Sequence, residues 1–102
     1  MIVLLNGQLR KREEAVISVF DHGFLYGMGL FETFRTYRGR PWLLERHAER
    51  LAAGCRILGI EYAPDPERMR ADIARLLDAN GLRDAYIRWS VSAGEGGIGL
   101  TA

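Results

Sequence analysis

At Leu44 the hydrophobic period changes, and that change limits what the chain can become more than any other feature. Before it, the aromatic and β-branched residues from Leu30 to Tyr37 favour a strand, Arg38-Gly39 supplies a turn, and Arg40 to Leu43 returns as the partner. After it, "LLERHAERLAAGCRILG" places Leu44, Ala48, Leu51, Cys55 and Leu58 at alternating steps of four and three, the single stripe of an amphipathic helix, with Gly59 as its C-cap. A second helix is predicted from Asp65 as N-cap and Pro66 at the first helical position; its stripe is Met69, Ile73, Leu76 and Leu77, and it stops at Asn80-Gly81. Alternation then resumes in "AYIRWSVSA": Ala85, Ile87, Trp89, Val91 and Ala93 share one face, and Tyr86, Arg88, Ser90 and Ser92 the other. Strands on either side of a helix pair predict an α+β or α/β domain, with a mixed, mainly antiparallel sheet and two helices packed on one face.

The N-terminal segment reads as further strand. Ile2 to Leu5 and Gln8 to Arg10 flank Asn6-Gly7, a type I′ turn pair, and "AVISVF" from Ala15 to Phe20 reads as another strand ending at Asp21. A length of 102 residues, 48% of them hydrophobic and 26% charged, suits one folding unit with a real core. With 14 basic against 13 acidic residues the net charge is +1, too little field to draw a nucleic-acid backbone or an anionic membrane, so neither is an expected partner. Cys55 has no second cysteine to pair with, which points to a reducing, cytoplasmic compartment. The opening "MIVLLNGQLRK" lacks the cationic start and long apolar run of a signal, and no stretch approaches the length of a membrane span.

Few residues suggest chemistry on their own. His22 and His47 lack the spacing of a metal site, so no metal is expected and both read as structural hydrogen-bonding residues. Cys55 falls on the helical stripe and reads as core. "GFLYGMG" and "GEGGIG" are not nucleotide-binding fingerprints. Glu32 stands among apolar neighbours in a strand, where a carboxylate needs a partner, and Arg35 projects to the opposite face. Arg50, just before Leu51 on the first helix, reads from periodicity as a solvent-facing arginine. The polar face of Tyr86, Arg88, Ser90 and Ser92 is either a solvated sheet face or the floor of a ligand cleft, and Trp42 and Trp89 read as core or interface.

"DHGFLYGMGLFETFR", "LLERHAERL" and "YIRWSVSAGEGG", in this order and spacing, resemble the N-terminal small domain of the class IV pyridoxal-phosphate enzymes: branched-chain aminotransferases, D-amino acid aminotransferases and 4-amino-4-deoxychorismate lyases. The resemblance covers essentially the whole chain and implies pyridoxal 5'-phosphate as cofactor. By position, Arg50 matches the family arginine that grips the cofactor phosphate, a task suited to a guanidinium. Tyr26, Phe31, Tyr86 and Arg88 match residues lining the substrate cavity, the last two placed for a carboxylate.

In this family the Schiff-base lysine and the acidic partner of the pyridine nitrogen come from a second domain, and Lys11, the only lysine here, does not match that position. The resemblance therefore implies that residues 1–102 are the small domain alone, with no catalytic residue among them and the catalytic second domain absent. "FDHGFLYGMGLFETFRTYRG" and "SVSAGEGG" look most like the lyases, which convert aminodeoxychorismate to 4-aminobenzoate and pyruvate in folate biosynthesis. Tyr86-x-Arg88 also resembles the branched-chain aminotransferases acting with 2-oxoglutarate; the D-amino acid enzymes rank third, because Ala93 stands where they carry arginine. The expected ligands are amino or carboxylate small molecules, and the family habit implies a homodimer. For the chain alone, the competing readings are a non-catalytic folded fragment or association module, and a binding module for phosphorylated small molecules.

Overall fold

Seven residues of strand β5 (Tyr86–Ser92) lie antiparallel against strand β3 (Gly29–Tyr37), from Gly29 opposite Ser92 to Arg35 opposite Tyr86. This ladder organises the computed structural model, which describes residues 1–96. Strand β4 (Arg40–Pro41) pairs with the other edge of β3, giving the order β4-β3-β5. Strands β1 (Ile2–Leu5) and β2 (Gln8–Lys11) form a separate two-stranded antiparallel sheet. Its turn residues Asn6 and Gly7 have φ of 50° and 79°, the positive pair that the asparagine-glycine sequence predicts, and Arg38 and Gly39 repeat the arrangement at 54° and 80°.

The helices α2 (Leu44–Leu58) and α3 (Pro66–Asn80) have the expected bounds and caps. Asp65 accepts a hydrogen bond from the Glu67 amide, and Gly59 and Gly81 close the two helices in the left-handed conformation. The sequence stripes become the core. Leu44, Ala48, Leu51 and Cys55 of α2 and Met69, Ile73 and Leu77 of α3 are buried against Phe34 of β3 and Ile87 of β5, with Leu58 and Leu76 half-buried at the margins. Both helices cover one side of the sheet, as the alternation requires, so Phe31, Arg35, Tyr86, Arg88, Ser90 and Ser92 are left exposed on the other. Burial of Cys55 raises the pKa of its thiol and keeps it in the protonated, unreactive form, in keeping with its core reading. Among the described residues no helix is long and apolar enough to cross a membrane.

Two strand expectations fail, one wholly and one in part. Ala15 to Phe20 is not a strand: a 3-10 turn at Arg12–Glu14 leads into irregular backbone, and among the described residues no partner strand lies alongside. Val16, Ile17, Val19 and Phe20 stay exposed, so composition favoured extension but no ladder was available to reward it. The glycine window, Asp21 to Gly29, contains a short helix, α1 (His22–Tyr26), with Asp21 as N-cap and Gly27 at φ 67° as C-cap. Strand β4 is shorter than the expected Arg40 to Leu43, although Trp42 still donates its amide to the Arg35 carbonyl at 2.8 Å.

Thr36 joins two parts of the fold. Its fully buried side chain donates through Oγ1 to the Arg83 carbonyl and accepts from the Ala85 amide, both at 2.9 Å, fixing the loop that delivers β5. Thr36→Val would leave the Ala85 amide unpaired, while the Arg83 carbonyl keeps the Gly39 amide at 2.8 Å, and is expected to cost about 1–3 kcal/mol, read from urea unfolding monitored by tryptophan fluorescence.

Candidate functional site

Glu32 is the buried charge beside the ladder. It points into the helix side of β3, where its side chain is only 10% exposed, and both oxygens have partners on α2. His47 Nδ1 lies 2.7 Å from Oε1, and Arg50 Nε lies 3.6 Å from Oε2. A carboxylate can only accept, so His47 is the donor in this pair. The imidazole is held flat against Phe34, with ring centroids 4.9 Å apart and planes 29° apart. His47 and Arg50 are three residues apart on α2 and therefore share a helix face, which lets one strand carboxylate meet both. His47 thus has the structural role expected for it.

Arg50 has its stem near this buried anion and its head in the open. Its closest approach to Glu32 is through Nε, while the side chain remains 73% exposed. A guanidinium steadied at one nitrogen and accessible at the rest suits an external phosphate, so the residue type and its presentation fit the phosphate group of pyridoxal 5'-phosphate.

The other sequence-predicted residues fall into separate groups. Phe31 and Arg88 meet on the open sheet face, the guanidinium carbon 3.8 Å from the ring centroid. Arg88 Nε also donates to Ser90 Oγ at 3.2 Å. Tyr86 is on the same face with Arg35 over its ring at 5.6 Å. Tyr26 lies on α1, its ring edge-on to His22 at 5.2 Å. Arg50 stands across β3 from Phe31, Tyr86 and Arg88, on the helix side. No group of three or more potential metal ligands occurs among the described residues.

Asp21, which sequence reasoning took only as the end of a strand, ties the glycine window to the segment after β5. Its buried carboxylate accepts from the Gly23 amide at 2.7 Å and from Ser92 Oγ at 2.9 Å. The His22 amide donates to the Gly94 carbonyl at 2.8 Å, and the backbones of Asp21 and Glu95 pair in an isolated antiparallel bridge. Gly23 is required here, since a Cβ would lie 2.8 Å from both Asp21 Oδ1 and Ser92 Cβ. Asp21 followed six residues later by Gly27 was the available sign of a capped turn of helix.

Residues 29–102 match the family model for amino-transferase class IV. Over 103 aligned residues the chain is 42% identical to aminodeoxychorismate lyase of Bacillus subtilis (strain 168), covering 99% of this chain and 35% of that protein. Its fold superposes on branched-chain aminotransferase from Thermoproteus uzoniensis with norvaline at a TM-score of 0.85 and 31% identity, covering 98% of this chain and 35% of that one. The T.th. branched-chain amino acid aminotransferase complexed with N-(5'-phosphopyridoxyl)-L-glutamate gives 0.84 at 30% identity, with 96% and 34% covered. The chain belongs to the class IV aminotransferase family, whose aminotransferases and aminodeoxychorismate lyases are pyridoxal-phosphate enzymes. It spans about a third of the length of the relatives it matches.

Removing the buried carboxylate tests the site's foundation. Glu32→Ala leaves His47 without its partner and is expected to lower stability by about 1–3 kcal/mol, with an unchanged urea midpoint as the contrary result.

Proposed function

We propose that the parent protein is a pyridoxal-phosphate-dependent lyase that converts 4-amino-4-deoxychorismate to 4-aminobenzoate and pyruvate, and that residues 1–102 form its small domain. The observation that carries the cofactor assignment is the exposed Arg50 guanidinium braced by buried Glu32. The lyase reaction is favoured by the stretch "FDHGFLYGMGLFETFRTYRG" and by the relative from Bacillus subtilis.

Pyridoxal phosphate, when bound, supplies an electron sink for the bond changes at the substrate's α-carbon. This chain's residues do the holding. Arg50 grips the phosphate, while Arg88, flattened on Phe31, offers its edge to a substrate carboxylate beside the Tyr86 hydroxyl. Tyr26 and Phe31 add apolar walls that exclude water. Proton movement at the α-carbon falls to a lysine elsewhere in the parent protein, because Lys11 closes the peripheral strand β2. On this reading the 102 residues alone have no turnover.

Branched-chain aminotransferase acting with 2-oxoglutarate is the second reading, favoured by Tyr86 and Arg88 sharing one face and by the superposition on the Thermoproteus enzyme. Incubating the parent protein with aminodeoxychorismate, and separately with leucine plus 2-oxoglutarate, decides between the two by which mixture is consumed.

We also propose a homodimer. Val16, Ile17, Val19, Phe20 and Phe24 are 72, 61, 63, 46 and 68% exposed in one short segment, an apolar concentration that a second subunit would cover. Phe24→Asp is expected to shift sedimentation towards monomer.

Arg50→Ala in the parent protein should weaken pyridoxal-phosphate retention by about 10- to 100-fold, the loss expected for a charge-assisted anchor, measured from cofactor absorbance during dialysis.

A further inference from the structure

Phe34 and Glu32 of β3 and His47 of α2 lie beneath Arg50, and they are held with unequal firmness. Phe34 belongs to the core at 4% exposure, and the His47 ring is stacked against it with centroids 4.9 Å apart. His47 itself is 17% exposed and holds Glu32 Oε1 at 2.7 Å, a hydrogen bond of ordinary length. Arg50 is 73% exposed, and its contact with Glu32 Oε2 at 3.6 Å is an ion pair too long to be a hydrogen bond. Among the described residues Arg50 has no second ion pair. Order therefore runs outward from the core, from Phe34 through His47 and Glu32 to the guanidinium.

The middle link decides the last one. The terminal torsion of a glutamate is broad, so a carboxylate with one firm partner takes its orientation from that partner. Here the firm partner is His47, and fixing Oε1 leaves Oε2 to the next turn of α2, where Arg50 follows His47 by three residues. An arginine that is ordered before a phosphate arrives keeps more of the contact free energy than one that must be ordered on binding. Without the imidazole, the Glu32 carboxylate is free to rotate, and Arg50 loses the fixed charge beside its Nε.

We infer that His47 is a positioning residue for the phosphate grip: it pins Glu32 Oε1, turns Oε2 toward Arg50, and so sets the bearing of the guanidinium before a phosphate monoester arrives. The inference rests on the reading of Arg50 as the cofactor's phosphate anchor and names the residue behind it. A histidine that served only to satisfy a buried carboxylate would, when lost, lower stability and leave Arg50 and the grip as they were.

The test combines nitrogen-labelled NMR of the 102-residue chain, following the Arg50 Nε–H signal, with pyridoxal 5'-phosphate dissociation from the parent protein, followed by cofactor absorbance. In the unsubstituted chain Arg50 Nε–H should exchange with water at least about three-fold more slowly than the Nε–H of Arg46, an exposed arginine of the same helix in no ion pair among the described residues. His47→Phe keeps an aromatic ring against Phe34 but cannot donate; it should erase that difference and weaken pyridoxal-phosphate retention by about 3- to 10-fold. His47→Asn, whose side-chain amide places a donor near the position of Nδ1, should recover both readouts to within about two-fold. Thr36→Val, destabilising for an unrelated reason, should change neither. The amide spectra verify folding, and each variant is measured well below its unfolding midpoint. Equal exchange at Arg50 and Arg46 before any substitution, unaltered retention in His47→Phe, no recovery in His47→Asn, or an equal loss in Thr36→Val would overturn the assignment. Retention that survives Arg50→Ala removes the cofactor reading; retention lost in Arg50→Ala and kept in His47→Phe removes this inference alone.

Discussion

The pairing register of β3 with β5 is the constraint from which the rest of the molecule follows. Side chains alternate along a strand, so a slip of one residue would exchange the two faces completely. In the observed register Glu32, Phe34 and Thr36 enter the helix side with Ile87 and Trp89, while Phe31 and Arg35 remain outside with Tyr86 and Arg88. Burying Phe34 and Ile87 is thus the same event as exposing the aromatic and guanidinium groups. The core selects the register, and the register composes the outer face.

Glu32 shows how a polar residue can be held within that core. A carboxylate withdrawn from water is costly unless its oxygens are occupied, and here an imidazole and a guanidinium from one helix face do so. The same contacts cross-link α2 to β3 through groups with directional demands, which apolar packing alone does not impose. For a member of the class IV aminotransferase family, the helix bearing Arg50 is therefore indexed to the strand bearing Phe31.

Sequence alone revealed α2 and α3 because their stripes, caps and periods agreed with one another. Asp65 with Pro66, Gly59 and Gly81 mark the ends, and Leu44 through Cys55 mark the buried face. The strand faces were legible for the same reason. The error at Ala15 to Phe20 has a different origin: side-chain composition records a taste for extended structure but not whether a neighbouring strand exists. Glu32 was recognisable as a residue needing a partner, and its partners at His47 and Arg50 became apparent only when α2 was laid on β3. Arg50 shows the same limit, since periodicity gave its exposure correctly but not the anion beside its stem. Asp21 and Ser92 are 71 positions apart, too far for any local pattern to join them.

Gly54 makes room for the Leu30 side chain where α2 lies on the sheet. A single added carbon there would come within 2.3 Å of Leu30 Cδ1, so the helix rests on the strand through a missing methyl group. Any larger residue would first press on the tip of the Leu30 side chain, which must turn aside for α2 to keep its place. The seat of the Arg50 helix on the sheet thus depends on a position that carries no side chain of its own.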